Sequence, residues 1–272
     1  MENSAKVKIL FTDFDGTLFT RKRAISEEDV RILQWLGREG IVRVIATGRS
    51  YFSIRKVIPA NFPVDYIILS SGAGIMEWPG KQLLKTHVIS GRTSDRLIDL
   101  FRKHKLSFFV HNPLPDNHHF YYFGAKNVHA DFNRRLALYA DFAQPLALRP
   151  SDQPSSQFLL INTNLSHVRS FIRPYASRLN IIKATSPLDG KSLWVEIFAA
   201  GVSKQHAGQW LCHRLNIAQA NTLAIGNDYN DVDLLRWCAR SYVVPEAPQE
   251  LLKTFTCVTG NDSVLRDLFP FR

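Results

Sequence analysis

Residues 7–19 read VKILFTDFDGTLF, an apolar, β-favouring run that breaks off abruptly into Asp, Gly and Thr. A strand apolar on both faces fits the middle of a parallel sheet covered by helices, and the polar break turns the chain into a loop at the strand's carboxyl end. The same pattern recurs. Residues 41–47, IVRVIAT, end in Thr47-Gly48-Arg49, and residues 66–69 end in Ser70-Ser71-Gly72-Ala73-Gly74. Between the first two runs Ser26 reads as an N-cap, followed by Glu27, Glu28 and Asp29 at the positive end of a helix dipole and by an apolar stripe of Val30, Leu33 and Leu36; Gly40 closes it. This β-α-β rhythm predicts a doubly wound (Rossmann-like) α/β sheet.

The rhythm breaks after Gly80. Residues 84–190 hold 14 Lys and Arg against 7 Asp, a net of +7 out of the chain's +10, together with seven of its nine histidines. They predict an α+β domain inserted into the sheet. The expected core is then 1–83 and 191–272, with alternation resuming at Trp194-Val195-Glu196-Ile197. A helix is expected from Ser203-Lys204, carrying Ala207, Trp210, Leu211 and Leu215, then a strand over 222–225 that runs into Gly226-Asn227-Asp228-Tyr229-Asn230-Asp231. Further elements are expected from Val232, over 241–244, around Leu251 and, as a terminal helix, over 264–268.

At 272 residues with 45 % hydrophobic and 21 % charged residues, the chain can bury a substantial core, which excludes disordered, collagen-like and disulfide-scaffold classes. Cys212, Cys238 and Cys257 form an odd set without CxxC spacing and read as reduced packing residues. No apolar run approaches the roughly 18 residues of a membrane span, and no apolar stretch with a cleavage site follows Lys6 and Lys8. A cytoplasmic protein with no membrane partner is expected. Nothing in the sequence fixes the oligomeric state.

In open α/β sheets ligands bind outside the carboxyl ends of the strands. Asp13-Phe14-Asp15-Gly16-Thr17, Thr47-Gly48-Arg49, Ser203-Lys204 and the 226–231 segment are expected to gather there. Paired acids, a hydroxyl, a lysine and a second acidic loop can hold Mg²⁺ through carboxylates, waters and phosphate oxygens, and can run phosphoryl transfer through a carboxylate nucleophile.

In this order the four clusters resemble the signature motifs of the haloacid dehalogenase (HAD) superfamily, and the insertion resembles the C2-type (IIB-like) caps of its sugar-phosphatase group. The resemblance implies a Mg²⁺-dependent phosphatase acting on a small phosphorylated metabolite such as a sugar phosphate. Asp13 is the implied nucleophile and Asp15 the general acid, then base. Thr47, Gly48, Asp13 and Lys204 are the implied phosphate contacts, with Asp231 orienting Lys204 or a metal-bound water. The plainer readings are turn or capping acids for Asp13 and Asp15, a strand-end threonine for Thr47 and a solvated first-turn lysine for Lys204. Gly16 and Thr17 support the loop, and Arg49 suits a phosphate or a structural ion pair.

The fourth motif departs from the family's GDxxND, because Asn227 stands where the metal-binding Asp is usual and the acid has moved to Asp228. Asp13 and Asp15 with either Asn227, through its amide oxygen, or Asp228, after a local change of the loop, form the implied metal set. That departure also keeps two other readings open: a phosphomutase on the same core, or a non-catalytic binding or regulatory protein. No RNP-like, helix-turn-helix or zinc-finger pattern is present, so no nucleic-acid partner is expected. In the insertion, His111 to Tyr122 offers ring and amide groups suited to a polyol or a polar turn before an edge strand. His118 and His119 are expected on opposite faces of a strand, and Arg134-Arg135 on a solvated helix face.

Overall fold

The computed structural model describes residues 6–19, 24–126, 128–259 and 262–269. The chain starts with β1 (Ile9–Thr12), α1 (Glu27–Arg38), β2 (Val42–Ala46), α2 (Tyr51–Ile54), β3 (Tyr66–Leu69), β4 (Gly74–Glu77) and β5 (Gln82–Thr86). It continues through α3 (Gly91–Lys103), β6 (Phe108–His111), β7 (Phe120–Phe123), α4 (Ala130–Leu138), β8 (Ala143–Pro145), β9 (Gln157–Ile161), α5 (Leu165–Ile172), β10 (Leu179–Thr185) and β11 (Leu193–Ala199). It closes with α6 (Lys204–Arg214), β12 (Thr222–Gly226), α7 (Val232–Trp237), β13 (Arg240–Val243), α8 (Gln249–Leu252) and β14 (Thr256–Cys257).

Two compact units result, one of residues 1–48, 57–85 and 203–272, the other of 49–56 and 86–202. In the first, an eight-stranded sheet among the described residues runs β14-β13-β12-β1-β2-β3-β4-β5. All four residues of β1 are buried, as a central parallel strand requires, and β1 pairs in parallel with both β2 and β12. The chain winds away from β1 on one side through β2 and β3 and on the other through β12, β13 and β14, so the winding reverses between β1 and β12. Register aligns Thr12 with both Ile45 and Ile225, which brings Asp13, Thr47 and Asn227 out at the same edge. Ile9, Phe11, Ala207, Leu211, Cys212, Leu234 and Cys238 share one core cluster, holding α6 and α7 on the sheet.

Ser26 caps α1 as expected, accepting from the Asp29 amide at 3.0 Å. The terminal helix expected over 264–268 is instead a series of turns. This segment is tied to α1, where the buried carboxylate of Asp29 accepts from the Leu265 amide at 3.0 Å and the Ser263 hydroxyl at 2.6 Å. Beyond β3 the sheet gains an antiparallel strand, β4, which the parallel reading did not include. Cys212 and Cys238 are buried, but Cys257 is exposed on the two-residue strand β14, its thiol donating to the Val258 carbonyl at 3.1 Å.

The second unit carries a six-stranded sheet, order β10-β11-β9-β6-β7-β8 among the described residues. Its limits differ from the expected 84–190. The Trp194–Ile197 run does not return to the first sheet: β11 pairs antiparallel with both β10 and β9. Its continuous apolar run has a different cause, because both faces of the inserted sheet are covered. Val195 and Ile197 pack with Leu97 and Phe101 of α3 and Val168 of α5, while Trp194 packs with Phe132 of α4 on the other side. Residues 49–56 also join this unit, through the packing of Phe52.

Candidate active site

β1 delivers Asp13, whose amide donates to the Ile225 carbonyl of β12 at 2.9 Å, so the first loop is tied to the strand that carries the fourth. The DFDGT loop folds back on itself. Phe19 N–H donates to Phe14 O at 2.8 Å and Gly16 N–H to Phe19 O at 2.7 Å, with the Phe14 and Phe19 rings stacked at 5.5 Å. Phe14 is fully buried, whereas Asp15 keeps partial exposure.

Lys204 opens α6 behind its N-cap Ser203, and its side chain is fully buried. Its ammonium donates to Asp13 Oδ1 at 2.7 Å and to Asp231 Oδ1 at 2.6 Å, so it is not a solvated first-turn lysine. Burial alone would lower the Lys204 pKa, but the two carboxylates outweigh it and hold the group above its ordinary value. Burial pushes the Asp13 carboxyl up to about 7, with Lys204 opposing and the charge of Asp231 adding. Two buried carboxylates therefore share one ammonium. Thr17 Oγ1 donates to the second oxygen of Asp13 at 3.3 Å.

Gly226 ends β12, and any Cβ there would collide with the Asp231 side chain. That close approach lets Asp231 fold back over the strand end, where its Oδ2 accepts from the Asn227 amide at 3.0 Å and the Asp228 amide at 3.1 Å while Oδ1 holds Lys204. The carboxylate of Asp228 is engaged in a reciprocal capping box on the turn Tyr229–Asp231. The Asn227 side chain lies instead against Gly16, whose φ of +86° belongs to a turn glycine and whose missing Cβ leaves room for the amide. Asn227 thus meets the first loop.

Thr47 is fully buried at the end of β2, its amide donating to Ile68 O at 2.9 Å and its carbonyl accepting from the Ser71 amide at 3.0 Å. Gly48 is exposed beside the Ser71 and Asn230 side chains, so the second and fourth loops meet as well. Sequence reading missed Ser71 as a neighbour of this loop. Its left-handed φ of +55° follows the end of β3 beside Ser70 at +47° and Gly72 at +108°, a conformation that the serine itself does not announce. Arg49 donates to Ser53 Oγ at 3.3 Å.

The oxygen-only donors at this strand edge, the carboxylates of Asp13 and Asp15 and the amide of Asn227, suit a hard divalent cation that keeps several waters. Among the described residues no three His, Cys, Asp or Glu side chains gather as a metal set. In the other unit, His118 and His119 do not lie on opposite faces of a strand. They precede β7 in a turn, their ring centroids 4.3 Å apart. Arg135 is not on a solvated face: its guanidinium lies 4.9 Å from the Trp194 ring centroid and 5.2 Å from that of Tyr139.

The profile of the haloacid dehalogenase-like hydrolases matches residues 10–264. YxeH of Bacillus subtilis (strain 168) is 24 % identical over 271 residues, 94 % of each chain. Among solved structures, BT1666 of Bacteroides thetaiotaomicron, described as a phosphatase of the haloalkanoate (HAD) superfamily, superposes with a TM-score of 0.77 at 18 % identity, covering 98 % of this chain and 96 % of its own. BT4131, described as a HAD subclass IIB sugar phosphatase, superposes with a TM-score of 0.73 at 17 % identity over 96 % and 99 %. No helix among the described residues is long and apolar enough to cross a membrane.

Proposed function

The chain belongs to the haloacid dehalogenase-like hydrolases and is a phosphatase, and from that premise we propose that it hydrolyses a small phosphorylated metabolite, a sugar phosphate, through an aspartyl-phosphate on Asp13 with Mg²⁺ as cofactor. The observation that carries this reading is the buried Lys204 bridging Asp13 and Asp231, an arrangement that fixes one oxygen of Asp13 and leaves the other to react.

In the first half-reaction that second oxygen attacks phosphorus in line, and the bond from phosphorus to the ester oxygen breaks. Asp15, partly exposed and two residues on, gives its proton to the leaving oxygen. In the second half-reaction Asp15 takes a proton from the water that attacks the aspartyl-phosphate, releasing inorganic phosphate and restoring both carboxyls. Lys204 and the Thr47-Gly48 turn hold the transferring oxygens, and Asp231 keeps the ammonium aimed at them. Asp13 and the Asn227 amide would hold Mg²⁺, with Asp15 reserved for proton transfer and Asp228 kept at its capping task. When bound, the ion neutralises charge on the phosphoryl oxygens and on Asp13. The choice of leaving group is assigned to the inserted, positively charged unit.

Phosphate release from a panel of phosphorylated metabolites with Mg²⁺, with Asp13→Asn as the blank, tests the proposal. Release from sugar phosphates that disappears in the variant is the expected result. Release that persists in Asp13→Asn, or none from any compound by a folded protein, contradicts it.

A further inference from the structure

Three successive residues of the first unit take a left-handed backbone: Ser70 at φ +47°, Ser71 at +55° and Gly72 at +108°. They follow β3 directly, and all three are buried. For two serines in a row such a conformation is costly, and a costly backbone persists only where its surroundings hold it in place. Here the surroundings are two loops of the candidate site.

On one side the Ser71 amide donates to the Thr47 carbonyl at 3.0 Å, and Ala73 N–H closes the turn by donating to Ser70 O at 3.0 Å. On the other side Gly72 lies on the backbone of Ser203. A Cβ on Gly72 would fall on the Ser203 carbonyl group, 2.6 Å from its carbon and 3.1 Å from the Ser203 nitrogen, so any side chain there must displace one of the two backbones. That same carbonyl starts α6, accepting from the Ala207 amide at 3.1 Å. The next residue is Lys204, fully buried and bonded to Asp13 at 2.7 Å and Asp231 at 2.6 Å. A close-packed side chain held by two partners has little room to absorb a shift of its own backbone.

One turn is thus wedged between the end of β2 and the start of α6, entirely within the first unit. We propose that Gly72 is a positioning residue: its missing side chain seats the Ser70–Gly72 turn on Ser203 and so fixes Lys204 relative to the Thr47-Gly48 turn, the two groups assigned to the phosphoryl oxygens. The first and fourth loops are joined by the Asp13 amide and Ile225, and Lys204 is joined to the fourth by Asp231. The contact of Gly72 with Ser203 adds the second loop to that set. This inference deepens the phosphatase reading and rests on it for its catalytic consequence.

Its test compares Gly72→Ala with Leu251→Ala, which opens a cavity in the same unit under α8 and serves as the control for lost stability alone. The substrate is para-nitrophenyl phosphate with Mg²⁺, and inorganic phosphate is the competing ligand. In Gly72→Ala, kcat/KM should fall and the inhibition constant of phosphate should rise, each about tenfold, as a small misplacement of the groups that hold a phosphoryl oxygen does. In Leu251→Ala the inhibition constant should stay within about twofold of wild type. A role in folding alone lowers the active fraction, and with it kcat, but leaves that constant unmoved. An unchanged constant in Gly72→Ala, or an equal rise in Leu251→Ala, therefore overturns the inference. Should the wild type show no Asp13-dependent hydrolysis, the phosphatase reading fails separately. Amide exchange in the wild type then decides, as it does if Gly72→Ala does not fold. The Ser71 and Ala207 amides should open together, with one free energy and one urea dependence; separate openings of the two contradict the inference.

Discussion

The two units bury polar groups in opposite ways. In the first, charge converges on one point: a fully buried ammonium between two carboxylates, at the edge where the sheet's winding reverses. In the inserted unit the buried polar groups are spread across the sheet and enclosed by rings or satisfied by neighbours. Glu196 accepts from Gln157 at 2.8 Å, Asp131 accepts from the Trp194 indole at 2.8 Å, and Arg135 sits among Phe109, Phe120, Tyr139 and Trp194. The first pattern gathers ionisable groups at a strand edge, where chemistry can use them, while the second leaves Arg135 Nε buried among rings with no hydrogen-bond acceptor among the described residues.

The sharpest way to break this contrast is to remove the shared cation. Lys204→Met leaves Asp13 and Asp231 buried without their partner. It should lower unfolding stability by about 3 kcal/mol and phosphate release by at least about 10²-fold, read by urea unfolding and by the release assay. Gly226→Ala works one step away: its methyl must displace the Asp231 side chain. A loss of about 1–3 kcal/mol is expected, together with reduced activity, because Asp231 no longer holds both Lys204 and the loop amides. Arg135→Met supplies the counterpart in the inserted unit. Losing the ring contacts should cost about 1–2 kcal/mol in unfolding, while kcat on para-nitrophenyl phosphate stays within twofold of wild type, on the order expected for a site away from the chemistry.

Acid separates the units further. Burial, with Arg135 adding and the Asn117 carbonyl opposing, lowers the His111 pKa to about 3. The unfolded chain takes up that proton near pH 6.5, before the folded one does. Stability should therefore fall as pH drops from about 6.5 towards 3, with no further change from this group below. Urea unfolding across that range should show a shallower slope in His111→Gln. The smallest expected effect is at the fourth loop. Asn227→Asp should lower the Mg²⁺ concentration needed for half activity, measured by titrating the ion; an equal or higher requirement contradicts Asn227 as a donor.

The same contrast explains what could be read from the chain. An apolar run such as ILFT followed by Asp, or TLAIG followed by Asn, announces both a central parallel strand and the loop it must deliver, so the fold and the common edge of the four clusters were legible. The inserted unit offered no such punctuation. LWVEIFA is as apolar as a core strand because it too is covered on both faces, and nothing in its composition says that its partners are β9 and β10. Arg135 looked like half of an exposed pair, since a helix spacing does not reveal that rings from three strands and α4's own end surround it. The engagement of Asp228 in a capping box, which turns attention to Asn227, depends on a backbone geometry that two adjacent letters leave open.

The most direct test of the account is to quench the enzyme in acid during turnover with Mg²⁺ and a hydrolysed sugar phosphate, and to measure by mass spectrometry the peptide that contains Asp13. The account predicts one added phosphoryl group on that peptide, localised to Asp13 and absent in Asp13→Asn. Turnover with no phosphorylated Asp13 under these conditions, or a phosphoryl group found on another residue, would contradict it.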